Sequence, residues 1–244
     1  MNPDLGKLQS SIEGDLYFDE TMRTLYATDA SPYQEMPLAV IRPKNSTDIH
    51  KVIEFALMEG LSLIPRAAGT SLSGQCVGSG IVVDISKYMT TIIELNVKEK
   101  WVRVQPGVIR DELNQFLAPH KLIFGPETST GNRCMMGGMV GNNACGAHSI
   151  LYGSTREHTL ELDVILSDGS DCKFGPLTPE EFKEKLKGDK LENKLYRHMW
   201  QNLSVPTFQE EIKNEFPKST VERRNTGYAL DRLLETSVFS KEDR

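Results

Sequence analysis

The chain has 244 residues, 39% of them hydrophobic and 25% charged, with a net charge of −6. Those values suit a globular protein of one large domain or two lobes, and the acidic balance argues against a nucleic-acid partner. No run is long and apolar enough for a transmembrane segment, and the first residues carry no signal-peptide core.

In chain order, residues 1–34 read as an N-terminal arm, with a short helix around Met22 and a turn at Ser31-Pro32. Leu38–Ile41 is a short apolar run that predicts a strand. Asn45 then offers N-cap chemistry, and Ile49, Val52, Ile53, Ala56 and Leu57 follow at helical spacing. Gly60 stands where a helix-ending glycine belongs. Leu61–Ile64 and Ile81–Ile85 predict two more strands, and the β-α-β order suggests a small sheet whose first pair is parallel. Between them, Arg66-Ala-Ala-Gly-Thr-Ser-Leu-Ser-Gly74 crowds small residues just after a strand. Such a loop can offer backbone N–H groups to an anion such as a pyrophosphate. It matches neither a P-loop nor G-x-G-x-x-G, and a plain turn fits it equally well.

Ile92–Leu95 and Trp101–Gln105 predict strands, and Ile109, Leu113, Phe116 and Leu117 predict an amphipathic helix ending near His120. Leu160–Leu166 alternates like a strand and is followed by a hairpin turn at Ser167–Ser170. Beyond Pro176 three helices are expected, from Thr178 to about Lys187, Leu191 to Leu203, and near Glu210–Phe216.

The most unusual stretch is Gly125–Gly153, which holds seven of the nineteen glycines and shows neither helical nor strand period. It predicts a long irregular path of turns. Its apolar residues (Met135, Met136, Met139, Val140, Ala144, Ile150, Leu151) predict partial burial, and a buried irregular backbone needs partners for its polar groups. A large, flat, polar ligand would supply them; a glycine-rich surface connector is the plain alternative. Cys76, Cys134, Cys145 and Cys172 are scattered, as in reduced cytosolic proteins, and the five histidines lack metal-ligand spacing.

Several motifs occur in one order: Arg66–Gln75, Val104-Gln-Pro-Gly107, Gly125-Pro126 with Thr128, Gly131 and Asn132, Gly137-Gly138, Asn143-Ala-Cys-Gly146, Tyr152-Gly153 and Ser167-Asp-Gly169. Together they resemble the FAD-binding domain of the PCMH-type (vanillyl-alcohol-oxidase) flavoproteins. The similarity is to the branch holding D-lactate dehydrogenase, glycolate oxidase and D-2-hydroxyglutarate dehydrogenase. Tyr26–Tyr33 and Arg223–Leu230 also resemble segments of that branch.

The resemblance implies an α+β, two-subdomain FAD-binding fold, with a small parallel or mixed sheet, a larger mainly antiparallel sheet and flanking helices. It divides the chain into the arm 1–34 and a FAD-binding domain 35–244, whose subdomains run about 35–96 and 97–244. It implies a pyrophosphate loop through Arg66, Ala68, Gly69, Thr70, Ser71 and Leu72. Pro126, Thr128, Gly131, Asn132, Gly137, Gly138, Asn143, Ala144 and Gly146 would line the flavin and ribityl, and Val164 and Ile165 would pass the adenine. FAD is expected to be non-covalent, because Thr70 stands where covalent relatives carry histidine. The implied substrate is a D-2-hydroxyacid whose α-hydrogen passes to flavin N5, and the electron acceptor a quinone, a flavoprotein or an iron–sulfur protein. No catalytic residue or metal ligand is assigned within this chain. The family's Gly-x-Glu-Gly-Thr-Leu segment and substrate domain are missing from it, so it reads as an N-terminal fragment, inactive alone, with any iron–sulfur cluster confined to a missing C-terminal part. The expected location is cytoplasmic, with peripheral association on the inner face of the membrane as a variant. Two alternatives stay open: a non-catalytic binding or scaffold module of the same fold, and a same-fold flavoenzyme with other chemistry.

Overall fold

Ile81–Asp84 is the strand that organises the first part of the chain, and every one of its residues is buried. A strand buried on both faces belongs in the middle of a parallel sheet. The computed structural model describes residues 3–218, 220–221 and 228–239. In it β1 (Asp15–Tyr17), β2 (Ala39–Arg42), β3 (Leu63–Arg66) and β4 (Ile81–Asp84) form one sheet in the order β1-β2-β4-β3. β4 runs parallel to both β2 and β3, while β1 pairs antiparallel with β2. The expected parallel pairing of the first two predicted strands is therefore corrected, because β4 inserts between them. Pro65 gives the reason: it has no N–H for a second ladder, so β3 belongs at an edge.

The arm is partly built into this sheet. α1 (Leu5–Ser11) buries Leu8 in the core formed by Ala39, Ile41, Val52, Phe55, Ile81 and Val83, and β1 supplies the outer strand. The helix expected near Met22 is α2 (Glu20–Leu25). α3 (Ser46–Glu59) starts at Asn45, whose side chain accepts the Asp48 N–H, and ends at Gly60 with φ +66°. Asp48 is fully buried, and its carboxylate accepts N–H groups from Glu13, Gly14 and Lys44, each at 2.9 Å. A buried charge with three such donors is satisfied, so this one pins the arm to α3.

β5 (Ile92–Asn96) and β6 (Trp101–Val104) form an antiparallel hairpin, followed by α4 (Arg110–Leu117). The expected irregular path across Gly125–Gly153 needs correction, since it contains α5 (Met136–Gly141) and α6 (Ser149–Tyr152). Cys134, Met136, Met139 and Ala144 bury against Val108, Leu113 and Leu117, with Ile92, Leu95, Val102 and Val104 beside them. Each such buried side chain contributes about 1.5–3 kcal/mol, enough to impose helical turns on a glycine-rich segment. Ile150 and Leu151 lie on α6 with 79% and 74% of their surface exposed, so the expectation of burial fails for these two.

The chain falls into two compact units, Met1–His158 and Thr159–Arg244. The second begins with the expected hairpin, β7 (Leu162–Ile165) against β8 (Asp171–Phe174), turned at Gly169 with φ +80°. α7 (Pro179–Lys185) opens with a capping box between Thr178 and Glu181. α8 (Leu191–Leu203), α9 (Pro206–Glu215) and α10 (Leu230–Leu234) then pack around Leu203, Ile212 and Leu234. α9 starts earlier than expected because Pro206 fits the first helical position. Most of the Arg223–Leu230 motif lies outside the described residues. Among the described residues, no helix is long and apolar enough to cross a membrane.

Candidate functional site

Two stretches of small residues meet within the first unit. The first leaves β3 at Arg66, whose carbonyl still accepts the Ile85 N–H at 3.1 Å. The backbone then turns at Gly69, with φ +63°. Among the described residues, the N–H groups of Ala68, Gly69, Thr70, Ser71 and Leu72 donate to no protein acceptor. Ala68 to Ser71 are only partly exposed, and N–H groups without a protein acceptor call for a partner such as water or an anion. The far end of the loop closes on the Ser71 hydroxyl, which accepts the N–H groups of Ser73 (3.2 Å) and Gln75 (3.4 Å).

The Arg66 guanidinium lies against this loop. Gly69 is required by its φ of +63°, and a Cβ there would also stand 2.6 Å from Arg66 Nη2, at the movable end of that side chain. Arg66 Nη1 donates to the Thr28 carbonyl at 2.8 Å, and the guanidinium stacks over the Tyr26 ring at 5.1 Å. Its hydrogen bonds therefore point to the N-terminal arm.

The second stretch touches the first through α5. Gly138 is exposed and has no positive φ; a Cβ there would meet only Ala67 Cβ, at 3.3 Å. Beyond it, Gln75 Nε2 donates to Asn142 Oδ1 at 3.1 Å. The loop Arg66–Leu72 and the Gly137-Gly138 pair are thus brought together, with Gly138 facing the Ala67 methyl.

The other predicted residues sit in a tightly packed frame. Gly137 donates its N–H to the Pro106 carbonyl at 2.8 Å, and a Cβ on it would lie 2.6 Å from Pro106 Cβ. A Cβ on Gly131 would lie 2.7 Å from Asp111 Oδ1, and one on Gly146 2.5 Å from the Glu127 carbonyl oxygen. The Pro126 carbonyl accepts Arg110 Nε at 3.2 Å, and the Thr128 hydroxyl lies 3.2 Å from Cys134 Sγ. Asn132 is exposed, its side-chain oxygen accepting from Arg133 at 3.1 Å. Asn143, at φ +44°, accepts the Ser154 hydroxyl (2.8 Å) and the Arg156 N–H (2.9 Å) through Oδ1. The buried Ala144 gives its carbonyl to Thr155, from N–H at 3.0 Å and Oγ1 at 2.7 Å. Val164 and Ile165 lie in β7, in the second unit.

One ion pair borders the frame. Glu127 Oε1 accepts the His148 N–H at 3.0 Å and lies 2.5 Å from His148 Nδ1. The backbone N–H of His148 foremost, and then its ring, hold the Glu127 carboxyl below its ordinary range. The residues that sequence reasoning left without a role in the site are Tyr26, Thr28, Ala30 and Tyr33. Their only signal was the resemblance of Tyr26–Tyr33 to a family segment.

The chain is similar to known proteins in sequence and fold. A family model described as FAD binding domain matches residues 37–175. The D-2-hydroxyglutarate dehydrogenase of Haemophilus influenzae is 46% identical over 65% of this chain and 16% of its own length. That of Pseudomonas putida is 38% identical over 92% of this chain and 22% of its own. Among solved structures, an alkyldihydroxyacetonephosphate synthase superposes with a TM-score of 0.62 at 16% identity, over 71% of this chain and 37% of that one. The chain belongs to the FAD-binding domain family, and the structural likeness supports the expected α+β fold. It spans about a fifth of the length of the two curated relatives.

Proposed function

We propose that this chain is the FAD-binding part of a flavin-dependent oxidoreductase acting on a D-2-hydroxyacid. D-2-hydroxyglutarate is the first candidate substrate, with D-lactate and glycolate as neighbouring ones. The observation that carries the reading is the run of free N–H groups from Ala68 to Leu72 beside the bare backbone of Gly138. FAD has two phosphates and a flat ring, and these residues suit both: donors for the anion, and a face without Cβ for the ring. When bound, FAD supplies the acceptor for the substrate's α-hydrogen, at N5.

On this reading Ala68, Gly69, Thr70, Ser71 and Leu72 hold the pyrophosphate through their backbone, with the Arg66 charge behind them. Gly137 and Gly138 border the flavin, and Pro126, Thr128, Gly131, Asn132, Asn143, Ala144 and Gly146 support or line its pocket. Val164 and Ile165 belong to the adenine end. The part running 35–96 supplies the phosphate loop and the part 97–244 the remaining residues of this reading, with residues 1–34 as an arm. The groups that bind the substrate carboxylate and take its hydroxyl proton come from outside this chain. Electrons leave to a quinone, a flavoprotein or an iron–sulfur centre. Cysteines that form no disulfide among the described residues agree with a reducing, cytoplasmic location.

The test is titration of the flavin-free protein with FAD, followed by absorbance and flavin fluorescence. Saturable binding is expected, and acid precipitation should release all the flavin, because Thr70 offers no imidazole for a covalent link. Anaerobic bleaching by D-2-hydroxyglutarate is expected of the longer protein that carries this chain. Failure of that longer protein to bind FAD would overturn the proposal.

A further inference from the structure

Five consecutive free N–H groups do not hold a loop in place; their carbonyls, side chains and neighbours must do so. In the first unit one segment, residues 26–35, touches the loop at its start, middle and end, beside the Ser71 turn and the Gln75–Asn142 bond. At the start, Arg66 Nη1 donates to the Thr28 carbonyl at 2.8 Å while its guanidinium stacks on Tyr26. In the middle, the Ala30 N–H donates to the Gly69 carbonyl at 3.1 Å. At the end, a Cβ on Gly74 (φ +72°) would lie 2.8 Å from Tyr33 Cδ2, and Cys76 Sγ lies 3.5 Å from Asp29 Oδ2.

The segment is itself anchored. The Tyr26 hydroxyl donates to Asp84 Oδ2 at 2.5 Å and accepts Arg42 Nη2 at 2.8 Å. Asp84 is only 3% exposed, at the end of the central strand β4. The Thr28–Gln34 bridge and the Glu35 N–H to Ala27 carbonyl bond (2.9 Å) close the segment into a small hairpin.

We infer that residues Tyr26–Tyr33 form a strap that holds the Ala68–Leu72 loop in its phosphate-receiving shape, so that this segment sets the preference for a flavin bearing a pyrophosphate. The inference rests on the FAD reading. Ala30 and Tyr26 are positioning residues, and neither touches the ligand. The Gly69 carbonyl, tied back by Ala30, fixes the peptide whose N–H belongs to Thr70. Rotation of that peptide would turn the carbonyl oxygen toward the anion and convert attraction into repulsion.

The experiment compares FAD with riboflavin, which lacks both phosphates, in the full chain. Ala30→Pro removes the N–H donor, Tyr26→Phe removes the anchoring hydroxyl, and Ala30→Gly keeps the donor as a control. Each substituted strap should bind FAD about tenfold more weakly, the loss of roughly one hydrogen bond. Riboflavin affinity should stay unchanged, and Ala30→Gly should match the wild type. Equal weakening of both flavins would mean a merely structural segment and would overturn the inference, as would unchanged FAD affinity in Tyr26→Phe. Should Ala30→Pro not fold, the FAD-to-riboflavin ratio of Tyr26→Phe decides alone. A longer protein carrying this chain that binds neither flavin overturns the cofactor reading itself, an outcome distinct from failure of the strap.

Discussion

The loop 66–74 and the stretch 125–153 are both rich in small residues, yet they use glycine for opposite reasons. In the loop, Gly69 and Gly74 carry positive φ and the neighbouring N–H groups are left free. In the longer stretch, Gly137 and Gly146 need no special φ; they are glycine because a Cβ would run into Pro106 and Glu127. There most of the backbone is internally satisfied, as in Met139 N–H to Met135 O at 2.9 Å and Asn142 N–H to Gly138 O at 3.0 Å. One stretch leaves its N–H groups without protein acceptors, and the other bonds and packs most of its backbone. Other glycines of the second stretch differ: Gly138 is exposed and faces Ala67 of the loop, Gly141 has nothing within 4 Å, and Gly153 carries φ +70°.

Substitutions can break that contrast. The largest effect is expected for Gly146→Val, whose Cβ would stand 2.5 Å from the Glu127 carbonyl oxygen. Overpacking against backbone should cost about 3 kcal/mol, read by urea denaturation. A variant as stable as the wild type would show that the packed frame yields easily. Next comes Gly138→Val, expected to weaken FAD about a hundredfold, or ~2.7 kcal/mol. Its stability should move by less than about 1 kcal/mol, because helix propensity favours the change from glycine. If stability fell and FAD affinity did not, Gly138 would join the packed class.

Gly69→Ala should follow, since the left-handed backbone costs a residue with Cβ about 1–2 kcal/mol. Unless that strain is relieved by another loop shape, FAD binding should drop roughly tenfold, measured by fluorescence titration. Unaltered affinity would show that the loop's shape does not depend on φ at this position.

The smallest effect concerns Glu127. Its carboxyl titrates below the ordinary 4.5 in the folded chain, chiefly through the His148 N–H and then the ring. That stabilisation is present above pH 4.5 and is lost as the pH falls through the lowered value. Glu127→Gln should therefore melt slightly below the wild type near neutral pH, the difference vanishing in acid. A gap that persists or grows as pH falls below 4.5 would rule out this account.

Much of this was legible in the residues. Asn45 and Gly60 marked both ends of α3, Ser167–Ser170 marked a hairpin, and Thr178 marked the start of α7, all through contacts within a few residues. The order of small-residue motifs also pointed to the family and to the loop 66–72. What the sequence left undecided was each choice that depends on distant partners. Pro65 carried the signal that β3 is an edge strand, but only the sheet order shows that β4 takes the centre. The glycines of 125–153 masked the pull of Met136 and Met139, whose burial beside β5, β6 and α4 accompanies the winding of α5. At α3, α7 and the β7–β8 turn, local pattern determined where the element begins, because caps and φ preferences act over three or four residues. Tertiary structure alone decided that the arm, through Tyr26, Ala30 and Tyr33, reaches the loop some forty residues away. No periodicity encodes such a contact: it exists only once the sheet brings β3 and β4 side by side.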